Sequence, residues 1–225
     1  GETSANLKRL EPGKSTSILL DVPILQNPSA GTAARILLTP SVHASIQGIP
    51  TATYTNSAST GELAIGGKAN ITAEARYYTT EGDQLGRGPL PPQVDSETKY
   101  WALITIKNTA NQMSDMRFSA TVPSGIVFTG RSSVSRGNDV TYSAGSRRVF
   151  WSLPSLAPYE TVGVYFELSL TPSSAQIGTS PLLLQNISVT TYDTHIEKEV
   201  TSYAGDLSTA IPTDTIGKAK GVTVQ

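Results

Sequence analysis

Histidine is the side chain that titrates and binds metals most readily near neutral pH, and this sequence has 2, His43 and His195. Each falls in a strand-like stretch, and the two do not stand at the i, i+4 spacing that places imidazoles on one helix face. Because the chain has 0 Cys, thiolate metal sites and cysteine nucleophiles are excluded. A transition-metal site would need carboxylates, so we expect both histidines to be surface or structural residues.

Nucleophilic catalysis has no recognisable constellation in the sequence. Serine is abundant, but no G-x-S-x-G elbow surrounds one, and neither histidine has a recognisable partner. We therefore expect no catalytic and no cofactor-binding residues, while the metal ligands stay unknown. Paired carboxylates for glycoside hydrolysis remain an alternative, because such partners can be distant in sequence.

A group of carboxylates lies close together in the chain, and such groups can bind calcium. Its members are Glu74, Glu81, Asp83, Asp95 and Glu97. Calcium takes carboxylate and carbonyl oxygens, and a linker between tandem domains can bring these together. No D-x-D-x-D-G loop is present, so the sequence favours a solvated segment and keeps calcium as the alternative cofactor.

An isopeptide crosslink needs a lysine, an asparagine and an acid buried together. The alternation places Lys107 on the strand face opposite Ile104 and Ile106, and Glu167 on the face opposite Phe166 and Leu168. We expect Lys107 and Glu167 to face solvent, so the sequence argues against this crosslink.

Tyr77 and Tyr78, with Arg76 beside them, could form an aromatic platform for a ligand. Adjacent strand residues point to opposite faces of a sheet, so the two rings should not line one patch. We predict one core tyrosine and one surface tyrosine.

The elements that must position these residues are β-strands. Alternating apolar residues, many of them β-branched or aromatic, stand between turns rich in Gly, Pro, Ser and Asn. The predicted strands are 100–108, 117–122, 149–153, 162–170, 187–192 and 220–224. Their spacing predicts an all-β fold of tandem Ig-like antiparallel β-sandwich domains, with Phe118, Trp151 and Phe166 in the core.

The composition excludes several classes of partner. Charged residues are 16% of the chain and the net charge is -1, so bulk electrostatics recruit neither nucleic acid nor an acidic membrane. No apolar run approaches the roughly 18 residues of a membrane span. The first residue is Gly1 rather than Met, so we expect a processed or excised chain whose signal or anchor lies elsewhere.

The most informative feature is an internal repeat with an offset close to 147 residues. The matching segments are Leu10-Glu11-Pro12-Gly13 with Leu156-Ala157-Pro158-Tyr159, Gly31-Thr32 with Gly178-Thr179, Ser41-Val42 with Ser188-Val189, and Gly61-Glu62-Leu63 with Gly205-Asp206-Leu207. Tyr159 stands where the first copy has Gly13, so we expect the second turn not to use a positive φ there.

The repeat predicts two domains of unequal completeness. Residues 77–225 contain a whole repeat and should form a complete Ig-like sandwich. Residues 1–76 contain only the C-terminal half of a repeat and should form a partial domain. Residues 68–78 should form one nearly continuous strand between them, because no Gly or Pro interrupts residues 69–78.

A half-repeat leaves apolar residues partly uncovered, here Ile18, Leu20, Val22, Ile36 and Leu38. Three explanations remain open. The missing strands belong to the same precursor, a neighbouring subunit donates a strand to the incomplete sheet, or a smaller sandwich closes with fewer strands.

Several short motifs resemble a known family. They are Tyr100 with Ile104-Thr105-Ile106-Lys107-Asn108-Thr109, Thr121-Val122-Pro123-Ser124-Gly125-Ile126-Val127-Phe128, Val149-Phe150-Trp151 and Leu156-Ala157-Pro158. These are similar to the conserved Ig-like repeat of prokaryotic cell-surface and cell-wall proteins, which includes surface-layer, stalk and adhesin repeats. Residues 81–92 resemble a subgroup from uncultivated, small-genome bacteria.

The resemblance implies a non-catalytic structural module of an extracellular stalk, layer or filament at the surface of a prokaryote. Its partners would be other copies of the chain or further repeats of the same precursor. The alternative is an adhesin-type module that binds a glycan or protein ligand through loops at one end of the sandwich. The family has no agreed catalytic residues, so none is carried over.

Overall fold

The computed structural model describes residues 11–17, 19 and 33–225, and its contacts divide the chain into two units, Gly1–Ala30 and Gly31–Gln225. In the first unit, Lys14 N donates to Glu11 O at 3.0 Å across a turn in which Gly13 has φ 75°. The predicted apolar residues Ile18, Leu20 and Val22 lie outside the described residues.

The second unit consists almost entirely of antiparallel strands, which confirms the predicted all-β class. The strands are β1 (Arg35–Leu37), β2 (Ser41–Ile46), β3 (Ile49–Ser57), β4 (Glu62–Ala64), β5 (Ala69–Arg76), β6 (Thr98–Asn108), β7 (Met113–Thr121), β8 (Ile126–Val134), β9 (Thr141–Ser143), β10 (Arg148–Leu156), β11 (Thr161–Leu170), β12 (Leu182–Asp193), β13 (Lys198–Tyr203) and β14 (Leu207–Ser208). A short 3₁₀ helix (Ser174–Gln176) and a helix α1 (Thr215–Lys220) complete the described elements.

Two sheets of this unit form a β-sandwich. One has the order β13-β12-β7-β10-β9, with β14 on β12, and the other has the order β5-β6-β11-β8. The Phe118 ring of β7 and the Phe166 ring of β11 approach across the core to 6.4 Å between centroids. Phe118, Trp151 and Phe166 are all buried, which confirms the predicted core.

The core follows from side-chain alternation. Along β6 the residues alternate between buried and less buried for the whole strand, as period-2 geometry requires. The inward residues Tyr100, Ala102, Ile104 and Ile106 meet those of β11, where Val162, Val164, Phe166 and Leu168 are buried. The buried apolar residues of the described chain all lie between Ala69 and Val224.

The strand pairings reproduce the internal repeat. Each of three pairs between β2 and β3 has a counterpart between β12 and β13. Ser41 pairs with Ser57 as Ser188 pairs with Tyr203, His43 pairs with Thr55 as Thr190 pairs with Thr201, and Ser45 pairs with Thr53 as Tyr192 pairs with Glu199. Arg35 pairs with Ala64 as Leu182 pairs with Ser208. The segment from β1 to β4 therefore has the pairing scheme of β12 to β14.

The predicted domain boundary after residue 76 stays a prediction. β5, which precedes it, pairs with β6, which follows it, from Ala69 opposite Asn108 to Arg76 opposite Trp101. Ile36 and Leu38 are half-buried.

The predictions for residues 220–224 and for the turn at Tyr159 were wrong. Residues 220–224 do not form a strand, because the Asp214 side chain accepts from Gly217 N and starts helix α1, which Gly221 ends. Tyr159 does adopt a positive φ, 64°, because its N–H donates to Thr109 O at 2.9 Å and Glu160 N closes the turn onto Ala157 O. The turn is thus the same as the one at Gly13.

Candidate functional site

The two histidines lie in different settings. His43 is exposed on β2, and its Nδ1 lies 3.1 Å from Thr55 Oγ1. His195 is half-buried, and its Nε2 lies 3.1 Å from Ala34 O, so Nε2 carries the proton. The expected strand position is wrong for His195, because residues 194–197 form the turn between β12 and β13. Both side chains thus make ordinary structural contacts.

The acidic residues of the predicted cluster are separated. Glu81, Asp83, Asp95 and Glu97 are exposed, whereas Glu74 is half-buried and lies 2.9 Å from Arg76 Nε. Glu97 is 3.3 Å from Lys99 Nζ. Among residues 11–17, 19 and 33–225, no group of three or more His, Asp or Glu side chains is arranged to hold a metal ion.

Glu167 is buried, contrary to the expectation that it faces solvent. β8 changes register opposite it, so that Thr129 Oγ1 donates to Glu167 O and Arg131 Nη1 lies 3.6 Å from Glu167 Oε1. Trp101 pairs with Glu167 on the other side. Lys107 is exposed as predicted, so these two residues are not buried together.

Tyr77 and Tyr78 do not lie on opposite faces. β5 ends at Arg76, and the N–H groups of both tyrosines donate to Asp214 Oδ2 at 2.7 Å each. Two consecutive amides that point at one acceptor break the strand alternation, and the two rings lie 5.2 Å apart. Tyr77 is a core residue, whereas Tyr78 is half-buried with Lys220 Nζ 5.1 Å from its ring.

A buried polar cluster, Asn111 with Asp193, holds the segment that connects β4 to β5. Asp193 Oδ2 accepts from Gly67 N at 2.6 Å and from Asn111 Nδ2 at 2.9 Å. Asn111 Nδ2 also donates to Ile65 O at 2.9 Å. We call this arrangement the junction, since it joins the residues that follow β4 to the sandwich.

Further contacts tighten the junction. Lys68 N donates to Thr109 Oγ1 at 2.8 Å, and Thr109 N donates to Lys68 O at 3.1 Å. A Cβ at Gly67 would lie 3.0 Å from Met113 Cε, so only glycine allows this approach without a shift. The connection between β4 and β5 is therefore fixed by specific bonds along its backbone.

The protonation of Asp193 is coupled to these bonds. Burial opposes its ionisation, but the hydrogen bonds from Asn111, Gly67, His195 and Ile196 outweigh burial and lower the pKa of the Asp193 carboxyl. Sequence reasoning missed this site. The available signal was the Gly66-Gly67 pair next to a strand, since paired glycines mark a close backbone approach.

The β2–β3 hairpin is the second notable feature, because its apolar side chains are exposed. Val42 is 59% exposed and Tyr54 is 72% exposed, and Ile46 and Ile49 are each 52% exposed. Within the described part of the chain, β2 pairs with β3 alone. One edge of β2 is thus open there.

A surface cleft of about 370 Å³ lies on the outer side of the larger sheet. It is lined by Phe150, Asn138, Asp139 and Arg117, among others, and Arg148 Cζ lies 5.4 Å from the centre of the Phe150 ring. An aromatic edge beside amide and charged groups can contact a polar ligand that has an apolar face.

No protein-family model and no curated protein matches this sequence. Within the described residues, no helix is long and apolar enough to cross a membrane.

Solved structures that match the chain include bacterial major pilins. The full-length major pilin SpaD from Corynebacterium diphtheriae matches with a TM-score of 0.44 and 11% identity, over 63% of this chain and 34% of that chain. A variant of BcpA, the major pilin subunit of Bacillus cereus, matches with a TM-score of 0.44 and 10% identity, over 76% of this chain and 47% of that chain.

A glycosidase is also similar to the chain. An inactive variant of the GH20 exo-β-N-acetylglucosaminidase from Vibrio harveyi matches with a TM-score of 0.32 and 11% identity, over 62% of this chain and 18% of that chain. The chain thus spans at most about half of each of these three structures. At such TM-scores and identities the likeness carries no inference about function.

Proposed function

We propose that the chain is a structural module of an extracellular stalk, layer or filament on a prokaryotic cell, in which Ig-like repeats follow one another in series. Its partners are other copies of the chain or further repeats of the same type. Its contribution is mechanical: each repeat adds length, and stiff connections keep the repeats aligned.

The junction is the observation that carries this proposal. It connects a segment with the pairing scheme of β12 to β14 to a complete sandwich, through backbone hydrogen bonds at Ile65, Gly67 and Lys68. A flexible tether would leave those backbone groups to water. A connection bonded residue by residue suits a module that transmits orientation from one repeat to the next.

Distance distributions between two spin labels test the stiffness. The chain has 0 Cys, so labels at T39C and S133C report without background. Both positions are exposed, on either side of the junction. We expect one narrow distribution in the unmodified junction and a broad one after Asn111→Ala, because that change removes the bonds to Ile65 and Asp193.

The matched control is Asn138→Ala, which removes one side-chain bond, to Ser152 Oγ, away from the junction. This variant should keep the narrow distribution. A broad distribution in the chain with an intact junction would contradict the proposal. Tryptophan fluorescence, from the buried Trp151 and the half-buried Trp101, checks that each variant keeps its core.

The second candidate is an adhesin-type module that binds a glycan or protein ligand, and the cleft at Phe150 favours it. The cleft combines an exposed aromatic edge with Asn138 and Asp139. A glycan array with the whole chain tests this candidate. Binding that is lost in Phe150→Ala and kept in Phe128→Ala, which alters a half-buried ring of the other sheet, would support it.

A further inference from the structure

The open edge of β2 has a counterpart in the complete sandwich. β12 corresponds to β2, and its two edges are both occupied, one by β13 and the other by β7. On the β7 side the pairs are Ser188 with Ser119, Val189 with Phe118 and Thr190 with Arg117. Ser188, Val189 and Thr190 correspond to Ser41, Val42 and His43. A strand with the residue types of β7 should therefore fit opposite these three residues of β2.

The side chains of β2 match this interpretation. Val189 is fully buried in the sandwich, whereas its counterpart Val42 is 59% exposed. A two-stranded hairpin by itself is marginally stable in water. A third strand would extend this hairpin and place an apolar residue beside Val42, which would remove part of that side chain from water.

The backbone groups on the open edge can be identified. Ala58 N donates to Pro40 O at 3.0 Å, as Ala204 N donates to Ile187 O at 3.0 Å in the complete repeat. Pro40 therefore faces β3, and alternation turns the N–H and C=O groups of Ser41 and His43 to the open edge. The equivalent groups of Ser188 and Thr190 face β7 in the sandwich.

We propose that the open edge of β2 takes up an antiparallel strand of the β7 type from a further Ig-like repeat, with an apolar residue opposite Val42 and polar residues opposite Ser41 and His43. This names the partner within the proposed function and rests on it. One sheet thus extends across two repeats, and the incoming strand places an apolar residue opposite Val42, as Phe118 lies opposite Val189.

A synthetic peptide of residues 113–121 is the probe, added to the whole chain. Hydrogen exchange measured by NMR reports on the amides of Ser41 and His43. We expect saturating peptide to slow exchange at both amides by at least about tenfold, because they become donors in a new ladder. The amides of β12 should not change, since β7 already occupies that edge.

Two N-methylated peptides leave the protein unchanged and test the register. Arg117 and Ser119 face β12 in the sandwich, whereas Phe118 faces β10. A peptide N-methylated at Arg117 should bind at least about tenfold more weakly than the unmodified one, because the methyl group replaces an edge donor. A peptide N-methylated at Phe118 should bind as the unmodified peptide does.

Proline substitutions test the protein side. His43→Pro removes an N–H on the open edge, and Thr55→Pro removes an N–H on the outer edge of β3. Both lose the bond between the His43 and Thr55 side chains, so they are matched. His43→Pro should weaken peptide binding at least about tenfold, and Thr55→Pro should leave it unchanged.

Three results would overturn the proposal. One is unchanged exchange at saturating peptide, and another is an equal effect of the two N-methylated peptides. The third is slow hydrogen exchange at the amides of Ser41 and His43 without peptide. In a dimeric chain it would mean that a second copy occupies the edge, and in a monomeric chain that residues of the same chain do.

The two proposals can fail separately. A narrow distance distribution between labels at T39C and S133C, together with no peptide binding, overturns this proposal alone. A broad distribution with specific binding overturns the structural module alone.

Discussion

A carboxylate is among the costliest groups to remove from water without a partner. Glu167 is 1% exposed, and neither of its oxygens has a hydrogen-bond partner among the described residues. Arg131 Nη1 is 3.6 Å away, but the arginine side chain is 54% exposed, so water weakens the attraction. The desolvation of Glu167 is thus incompletely offset.

Glu167→Met should therefore raise the free energy of unfolding by about 1–3 kcal/mol, since an apolar side chain of similar volume needs no partner. Urea denaturation measures this change. Glu199→Met is the matched control: it removes an exposed partner of Arg117 and should change stability by less than about 0.5 kcal/mol. A clear loss of stability in Glu167→Met would show that the buried carboxylate is compensated.

Tyr159 stores backbone strain, because a non-glycine residue at φ 64° is in the left-handed region. Its ring is 56% exposed, so Tyr159→Gly loses little burial and should raise the free energy of unfolding by about 0.5–1 kcal/mol. Tyr203→Gly, at an exposed position of β13, should instead lower it by about 0.5–1 kcal/mol. Equal losses in the two variants would mean that Tyr159 is not strained.

At the scale of elements, the junction depends on one ionised side chain. Asp193 accepts from four N–H groups, those of Gly67, Asn111, His195 and Ile196. Because its pKa in the folded protein is lowered, its contribution to stability is present above the unfolded pKa of about 3.9 and is lost as pH falls through the folded pKa. The junction should thus weaken in acid.

Asp193→Asn should lower the free energy of unfolding by about 2–4 kcal/mol at about pH 7, because an amide cannot accept all four bonds. The difference from the unmodified chain should be smaller at about pH 3, below the unfolded pKa of about 3.9, because the stability that the lowered pKa provides is lost as the pH falls. Urea denaturation at both pH values measures it. Asp139→Asn, at an exposed position, should show no such pH-dependent difference.

Alternation determined which parts of the fold could be predicted. The faces of β6 and β11 followed from sequence because each strand has apolar residues at every second position. The burial of Glu167 could not be predicted, because it depends on a register shift in the pairing with β8, a strand distant in sequence. Helix α1 was missed because its cap, Asp214, also accepts from Tyr77 and Tyr78 across the sandwich.

At the scale of the whole molecule, the buried apolar residues of the described chain all come from residues 69–224. The part from β1 to β4 is bonded to the sandwich through the junction and through His195 to Ala34 O. Stability should therefore be unequal along the chain, with the sandwich independent of what precedes it.

Removal of residues 1–64 should leave a sandwich that unfolds cooperatively, with a loss of less than about 2 kcal/mol from the missing bonds of Ala33 N to Asn111 Oδ1 and of His195 Nε2 to Ala34 O. Circular dichroism during heating and urea denaturation measure the loss. In the separate piece 1–64 the β2–β3 hairpin should be unfolded, because a hairpin without a covering layer is marginal. A truncated chain that does not fold would show that the sandwich needs the preceding residues.

The position of β5 has a mechanical consequence. Ala69 lies opposite Asn108, at the end of β6, whereas Gln225 bonds to Pro92 and Val94, just before β6 begins. Tension applied between Ala69 and Gln225 therefore runs parallel to β5 and β6, over a length of about 30 Å. Such a load shears the ladder and must break its bonds together, whereas a load across the strands would peel them one after another. We therefore expect the β5–β6 ladder to resist a load applied in this direction more strongly than a load across the strands.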